Sequence, residues 1–137
     1  MTKIFYAVFD TNVLVSALMS RREDSPTVVL LDYVLDGSII LLFNEDILKE
    51  YEEVLHRKKF DFSDERIQAV IDLVKSGVHL NPTISSEDFP DPDDRVFYEV
   101  ALAKDGTYMV TGNLKHFPKS PIVVTPAEMI KIITGGQ

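Results

Sequence analysis

Phe5-Tyr6-Ala7-Val8-Phe9-Asp10-Thr11-Asn12-Val13-Leu14-Val15-Ser16-Ala17 is the stretch on which the fold turns. An apolar run over residues 3–9 reads as a buried strand. It ends on an acid, passes through a polar turn and continues as a helix over 12–20, with Val13, Leu14, Ala17 and Leu18 on one face. In a parallel α/β sheet the carboxyl ends of the strands face the ligand crevice. Asp10 is then presented to whatever binds, and it stays ionised only where something positive or polar meets it. That is a place for a metal ion. The competing reading makes Asp10 an N-cap, a job that Thr11 or Asn12 could do equally well.

Working outward, Arg21 to Ser25 is a charged loop, and Ser25-Pro26 opens a second helix through Val28, Leu31 and Leu35 that Gly37 ends. Ile39 to Phe43 is a short continuous apolar run, as in a central parallel strand. Asn44 caps a helix over 44–57, whose apolar residues Ile47, Leu48, Tyr51, Val54 and Leu55 form one stripe. Ser63 to Lys75 is another amphipathic helix, closed by Gly77 and followed by a brief strand at Val78 to Leu80. Asn81 to Pro90 is a polar loop. Asp91-Pro92 starts a helix running to about Lys104, with Gly106 beyond its end; Thr107 to Val110 and Ile122 to Val124 are strands, and Thr125-Pro126 introduces a last helix. Strands alternating with helices of ten or more residues imply one α/β domain over 1–137, with a mainly parallel sheet covered on both faces by right-handed crossovers.

Composition narrows the chemistry. The chain has 137 residues, 45% of them hydrophobic, enough for one full-sized core. No window reaches the ~18 apolar residues of a membrane span, and Met1-Thr2-Lys3 leads into a strand without the anatomy of a secretory leader. A soluble, cytoplasmic protein is expected. The absence of cysteine removes disulfides, thiolate catalysis and cysteine-ligated metals. His56, His79 and His116 lack metal-ligand spacing, so a metal would be held by oxygen. Fourteen Lys and Arg against 22 Asp and Glu give a net charge of −8, which argues against broad adhesion to nucleic acid. It leaves nuclease chemistry open, because an acidic cluster that binds Mg²⁺ has its local sign reversed by the ion. The positive residues that could meet phosphates are local, Arg21-Arg22 and His56-Arg57-Lys58-Lys59, and each run reads first as a solvated helix end.

Three further places carry acids or amides. On the helix over 44–57, Glu50 and Glu52 lie at opposite edges of the apolar stripe and either can look into a cleft, whereas Glu53 points outward. At Asp91-Pro92-Asp93-Asp94, three acids crowd the start of a mostly apolar helix. Asp91 fits an N-cap, and periodicity does not choose between Asp93 and Asp94; like charges this close repel unless a cation joins them. The strand Tyr108-Met109-Val110-Thr111 ends in Gly112-Asn113 at the same sheet edge as Asp10.

With these pieces in place, the chain resembles the PIN-domain ribonucleases, in particular the stand-alone toxin components of toxin–antitoxin systems. The matching segments are Phe9-Asp10-Thr11-Asn12-Val13-Leu14-Val15-Ser16-Ala17, Ile47-Leu48-Lys49-Glu50-Tyr51, Asp91-Pro92-Asp93-Asp94-Arg95-Val96-Phe97 with its Ala101-Leu102-Ala103 tail, and Val110-Thr111-Gly112-Asn113, in the family's order and over nearly the whole chain. The resemblance implies a three-layer α/β/α sandwich with about five strands. It also implies an endoribonuclease whose Mg²⁺ or Mn²⁺ is held by Asp10, Glu50 and Asp94. Asn113 stands where the family usually has a fourth acid, and Asp93, Asp91, Asn12, Thr11 and Thr111 are subsidiary candidates. Implied partners are an RNA substrate, a small antitoxin and a second copy of the chain, the last across apolar residues of the helices over 12–20 and 25–36 that could equally be core.

Two rivals bear on these residues. A PIN-like module with a weakened metal site, serving RNA binding or protein association, is favoured by Asn113. A phosphatase of the haloacid dehalogenase type needs an Asp-x-Asp pattern, and Asn12 breaks it; no Gly-rich phosphate loop follows the first strand to support a nucleotide-binding sheet.

Overall fold

The computed structural model describes residues 3–135; Met1 and Thr2, where the leader reading began, lie outside the described residues. The strands are β1 (Phe5–Phe9), β2 (Ile39–Phe43), β3 (Val78–His79), β4 (Thr107–Val110) and β5 (Val123–Val124). The helices are α1 (Thr11–Met19), α2 (Pro26–Leu35), α3 (Glu45–Leu55), α4 (Asp64–Lys75), α5 (Arg95–Leu102) and α6 (Pro126–Ile133). All five strands are parallel, in the order β3-β2-β1-β4-β5. The helices form the outer layers of an α/β/α sandwich: α2 and α6 pack together and reach β2 and β4, while α5 packs across β1, β2 and β4.

Helix starts follow the sequence signals. Asn44 accepts from the Ile47 N–H, Ser63 from the Arg66 N–H, and Thr125 forms a capping box with Glu128. Gly37 and Gly106 end their helical segments with φ of 87° and 83°, a region that costs side-chain-bearing residues strain. Gly77 matters for another reason. A Cβ there would lie 2.0 Å from the Leu41 carbonyl oxygen, so only glycine lets the chain pass β2 before pairing with it as β3.

The elements differ from the sequence reading at their ends. Lys3 and Ile4 are exposed and the strand begins at Phe5. Pro92–Asp94 forms a 3₁₀ turn, and the α-helix proper begins at Arg95 and ends at Leu102. The tighter turn accommodates Asp93 and Asp94, with Asp91 as its cap, before the apolar face of α5 is laid down. The segment over 81–90 is anchored, because the carboxylate of Glu99 accepts from the Ser85 N–H (2.6 Å) and Arg95 donates to the Ser85 and Glu87 carbonyls (2.8 and 2.6 Å). Phe89 packs against Tyr98 and Phe117.

The strand order places the site. From β1 the chain moves one way to β2 and β3, and later returns to the other side of β1 to lay down β4 and β5. The crevice therefore opens between the carboxyl ends of β1 and β4. Phe9 is paired in register with Val110, so the next residues, Asp10 and Thr111, emerge side by side.

Candidate functional site

Asp10 is 7% exposed. It occupies the N-cap position of α1 with extended backbone, yet its side chain makes no cap bond. The capping alternative is thereby corrected: the Asp10 Oδ2 instead accepts from the Thr111 hydroxyl at 2.7 Å and from the Asn12 amide at 3.1 Å. Thr111, fully buried, has its own Oγ1 held by the Asn113 N–H at 3.0 Å. The Asn12 Oδ1 accepts from the Gly112 N–H at 3.2 Å, so one side chain joins the turn after β1 to the turn after β4. Burial raises the pKa of Asp10, against the lowering effect of the Thr111 hydroxyl, the Thr11 N–H and the nearby His116.

Glu50 faces the same space from α3. The Thr11 hydroxyl donates to its Oε2 at 3.2 Å, while Glu52 is exposed; tertiary packing thus picks one of the two glutamates that the helical wheel left equal. The register of α3 is tied down next door, where the fully buried Tyr51 hydroxyl donates to the carbonyl of Phe9, the residue before Asp10. Burial raises the pKa of Glu50; Thr11 lowers it, Glu53 and Asp93 raise it, and Arg57 lowers it.

Asp94 completes the group. Its Oδ2 is buried, accepts no hydrogen bond and lies 3.4 Å from His116 Nδ1. Its pKa is pushed up to about 6, first by burial, then by the charges of Asp10 and Asp91, with His116 opposing and Glu50 adding to the rise. Asp93 is exposed. Asp91 caps the 3₁₀ turn, accepting from the Asp93 N–H at 2.9 Å as an N-cap should. Asn113 Nδ2 stands 3.1 Å from His116 Nε2.

Asp10, Thr11, Asn12, Glu50, Asp91, Asp93, Asp94 and Asn113 all line one cavity of about 430 Å³, whose wall also holds Arg57, Phe60 and His116. Those last three were not singled out individually from sequence. His116 sits one 3₁₀ turn after Asn113, a spacing that puts both on one side, and that was the available signal. A larger cavity of about 520 Å³ lies beyond Asn12, between the starts of α2 and α6, and holds none of the acids.

The donor set fits a hard divalent cation: carboxylate and amide oxygens, one carboxylate oxygen buried without a hydrogen bond, and three acids whose pKa values are raised chiefly by burial. Among the described residues, no three His, Asp or Glu side chains already stand as a closed metal-holding group. The acids converge on one cavity without meeting at one point.

A doubly wound parallel sheet with carboxylates at its switch point, and no glycine-rich loop there, defines a class of α/β protein that offers acid rather than backbone N–H groups to its ligand. A PIN-domain family model matches residues 6–115, and the chain belongs to the PIN-domain family. PIN domains are in general nucleases that act on RNA, usually with divalent metals such as Mg²⁺. No curated protein and no solved structure matches the chain. Among the described residues no helix is long and apolar enough to cross a membrane.

Proposed function

We propose that this protein is a metal-dependent endoribonuclease of the cytoplasm, serving as the toxin of a toxin–antitoxin pair. The observation that carries the reading is the convergence of Asp10, Glu50 and Asp94, from three separate elements, on one cavity in which Asp94 keeps a buried oxygen without a hydrogen bond. Asp10, Glu50 and Asp94 would hold Mg²⁺ or Mn²⁺, with Asn113 as a neutral fourth donor. When bound, such an ion acidifies water and neutralises charge growing on the phosphoryl group.

The chain's own residues do the rest. Thr111 and Asn12 fix the Asp10 carboxylate, and Thr11 fixes that of Glu50, so ligand oxygens are held before any ion arrives. Arg57, whose charge favours the ionised form of Glu50, lines the cavity and would meet a substrate phosphate there. No side chain need form a covalent intermediate, since water is the nucleophile of the hydrolysis.

The test is cleavage of mixed RNA with Mg²⁺, Mn²⁺ or chelator, run beside Asp10→Asn. Metal-dependent cleavage that falls more than about a hundredfold in a folded Asp10→Asn chain supports the reading, since a lost ligand costs more than a lost outer partner. Full activity in that variant sinks it.

The second reading, a PIN-like module for RNA binding or protein association, is favoured by Asn113, which lacks the charge of a fourth acid. Calorimetric titration with Mn²⁺ separates the two, because such a module has no need to take up the ion. For an antitoxin or a second copy of the chain, Met19 on α1 and Leu35 on α2, 58% and 68% exposed, offer apolar surface, although the other apolar residues of these helices mostly belong to the core. Sedimentation at several concentrations tests self-association.

A further inference from the structure

The acidic cavity has a basic, aromatic neighbour. After α3 the chain makes successive turns, Arg57 N–H to Val54 carbonyl, Phe60 N–H to Arg57 carbonyl and Asp61 N–H to Lys58 carbonyl, and Asp61 takes the left-handed conformation at φ 52°. This reversal lays the half-buried rings of Phe60 and Phe62 on each other, centroids 5.5 Å apart and planes within 10°. Lys59 Nζ lies 5.1 Å over the Phe60 ring and the Arg66 guanidinium 5.5 Å over the Phe62 ring. Arg66 is steadied by donating to the Leu18 carbonyl at 2.6 Å. Phe60 lines both the acidic cavity and a second cavity of about 310 Å³ that holds Phe62, Arg66 and Arg21.

Charge accompanies the rings. In a chain with 22 acids and a net charge of −8, Lys59 and Arg66 lie on the two rings, Arg21 lines the second cavity and Arg57 the acidic one. Asp61 is the one acid lining the second cavity. Cations on two stacked rings, one of which also lines the carboxylate cavity, complement a polyanion whose units have flat apolar faces.

We propose that Phe60 and Phe62, with Lys59 and Arg66 over their rings, Arg21 in the same cavity and exposed Lys58 next in the chain, form a stacking platform for single-stranded RNA that leads the strand into the acidic cavity. The inference rests on the nuclease reading and adds where the strand lies. Phenyl faces accept any base, and an incoming base displaces the flexible Lys59 onto an adjacent phosphate, so the platform selects single strands over duplex without selecting sequence. Arg57, which lines the acidic cavity together with Phe60, continues the positive track to the acids.

The experiment is fluorescence anisotropy of a short labelled single-stranded RNA with the full chain carrying Asp10→Asn, in chelator, so that neither metal nor cleavage is needed. Adding Phe60→Leu and Phe62→Leu together should weaken binding about tenfold or more. Phe60→Tyr, which keeps the ring, should restore most of it. Lys58→Ser with Lys59→Ser, both exposed and outside the core, should flatten the dependence of affinity on salt. Circular dichroism checks that each variant is folded.

Unchanged binding in the folded leucine variant, or equal preference for duplex RNA, overturns the platform. So does a change of oligomeric state in that variant with RNA binding intact, which would make the patch a contact between copies. If RNA binding depends on the two rings but the chain with Asp10 cleaves nothing under any metal, the platform stands and the hydrolase reading falls. If cleavage occurs and binding ignores the rings, the reverse holds.

Discussion

The Thr111 hydroxyl donates to Oδ2 of Asp10 across 2.7 Å, joining residues 101 apart in sequence and locking the end of β4 to the end of β1. Thr111 also receives the Asn113 N–H, so one buried hydroxyl orients both an acid and the turn that carries the amide opposite it. Replacing it with the isosteric valine removes the donor and leaves the shape. Thr111→Val should lower cleavage or metal affinity about 10- to 100-fold, the usual cost of losing the partner that orients a ligand. Single-turnover cleavage and Mn²⁺ titration measure it; wild-type values in both would show that Asp10 is held without Thr111.

Stability should report the crowding of acids. The Asp94 pKa is about 6 in the folded chain against an ordinary 3.8, and those of Asp10 and Glu50 are also raised, burial being the main cause for each. A carboxyl with a higher pKa when folded takes its proton first on the folded chain. Folding is therefore favoured as pH falls from about 6 toward 3.8, and that gain is lost as pH rises through about 6. The metal-free protein should melt at a higher temperature near pH 5 than near pH 7, and Asp94→Asn should flatten the difference. Added Mn²⁺ should raise the melting temperature more at pH 7 than at pH 5, since cation and proton compete for the same oxygens. Thermal melts in chelator across this range decide; a midpoint that climbs from pH 5 to 7 in chelator would refute the effect.

Asn113 sets how much charge the site can offer. Asn113→Asp adds a carboxylate beside His116 and at the mouth of the acidic cavity. Mn²⁺ affinity should rise by roughly tenfold, because ligand charge tunes the affinity of oxygen sites. Isothermal titration calorimetry on the two chains measures this directly, and weaker binding in the variant would place Asn113 outside the metal's reach.

Far from the site, Gly77 tests the fold itself. With the Leu41 carbonyl 2.0 Å from where a Cβ would stand, Gly77→Ala forces the approach to β3 away from β2. A loss of about 1–3 kcal/mol is expected, as for other overpacked positions. Urea denaturation checks it, and an unchanged midpoint would mean that the turn can move freely.

Much of the architecture was legible because local rules and the global fold agree. Asn44, Ser63 and Thr125 announced helix starts, and each does cap its helix in the structure. The Ile39–Phe43 run read as a buried central strand because a strand covered on both faces needs no polar alternation, and β2 lies between β1 and β3. What failed locally were ends and loops. The 3₁₀ turn at Pro92–Asp94 has no signature distinct from that of an α-helix start, and the segment over 81–90 looked like free loop because its anchors, Arg95 and Glu99, come later in the chain.

The site divides the same way. Sequence determined which kinds of atom were available: an acid after the first strand, acids on one helix and at the start of another, an amide after the fourth strand, and no thiol anywhere. It also fixed that strands and helices alternate, because hydrophobic periodicity is written residue by residue. Periodicity left Glu50 and Glu52, and Asp93 and Asp94, equal, and the resemblance to the family picked Glu50 and Asp94. The tertiary structure sets Glu50 on the Thr11 hydroxyl and partly buries Asp94 while Glu52 and Asp93 stay exposed. It alone brought His116, Arg57 and Phe60 to the wall. Those choices depend on how whole helices rotate against the sheet. That rotation is set by contacts such as Tyr51 to the Phe9 carbonyl, between residues far apart in sequence, which no local pattern encodes.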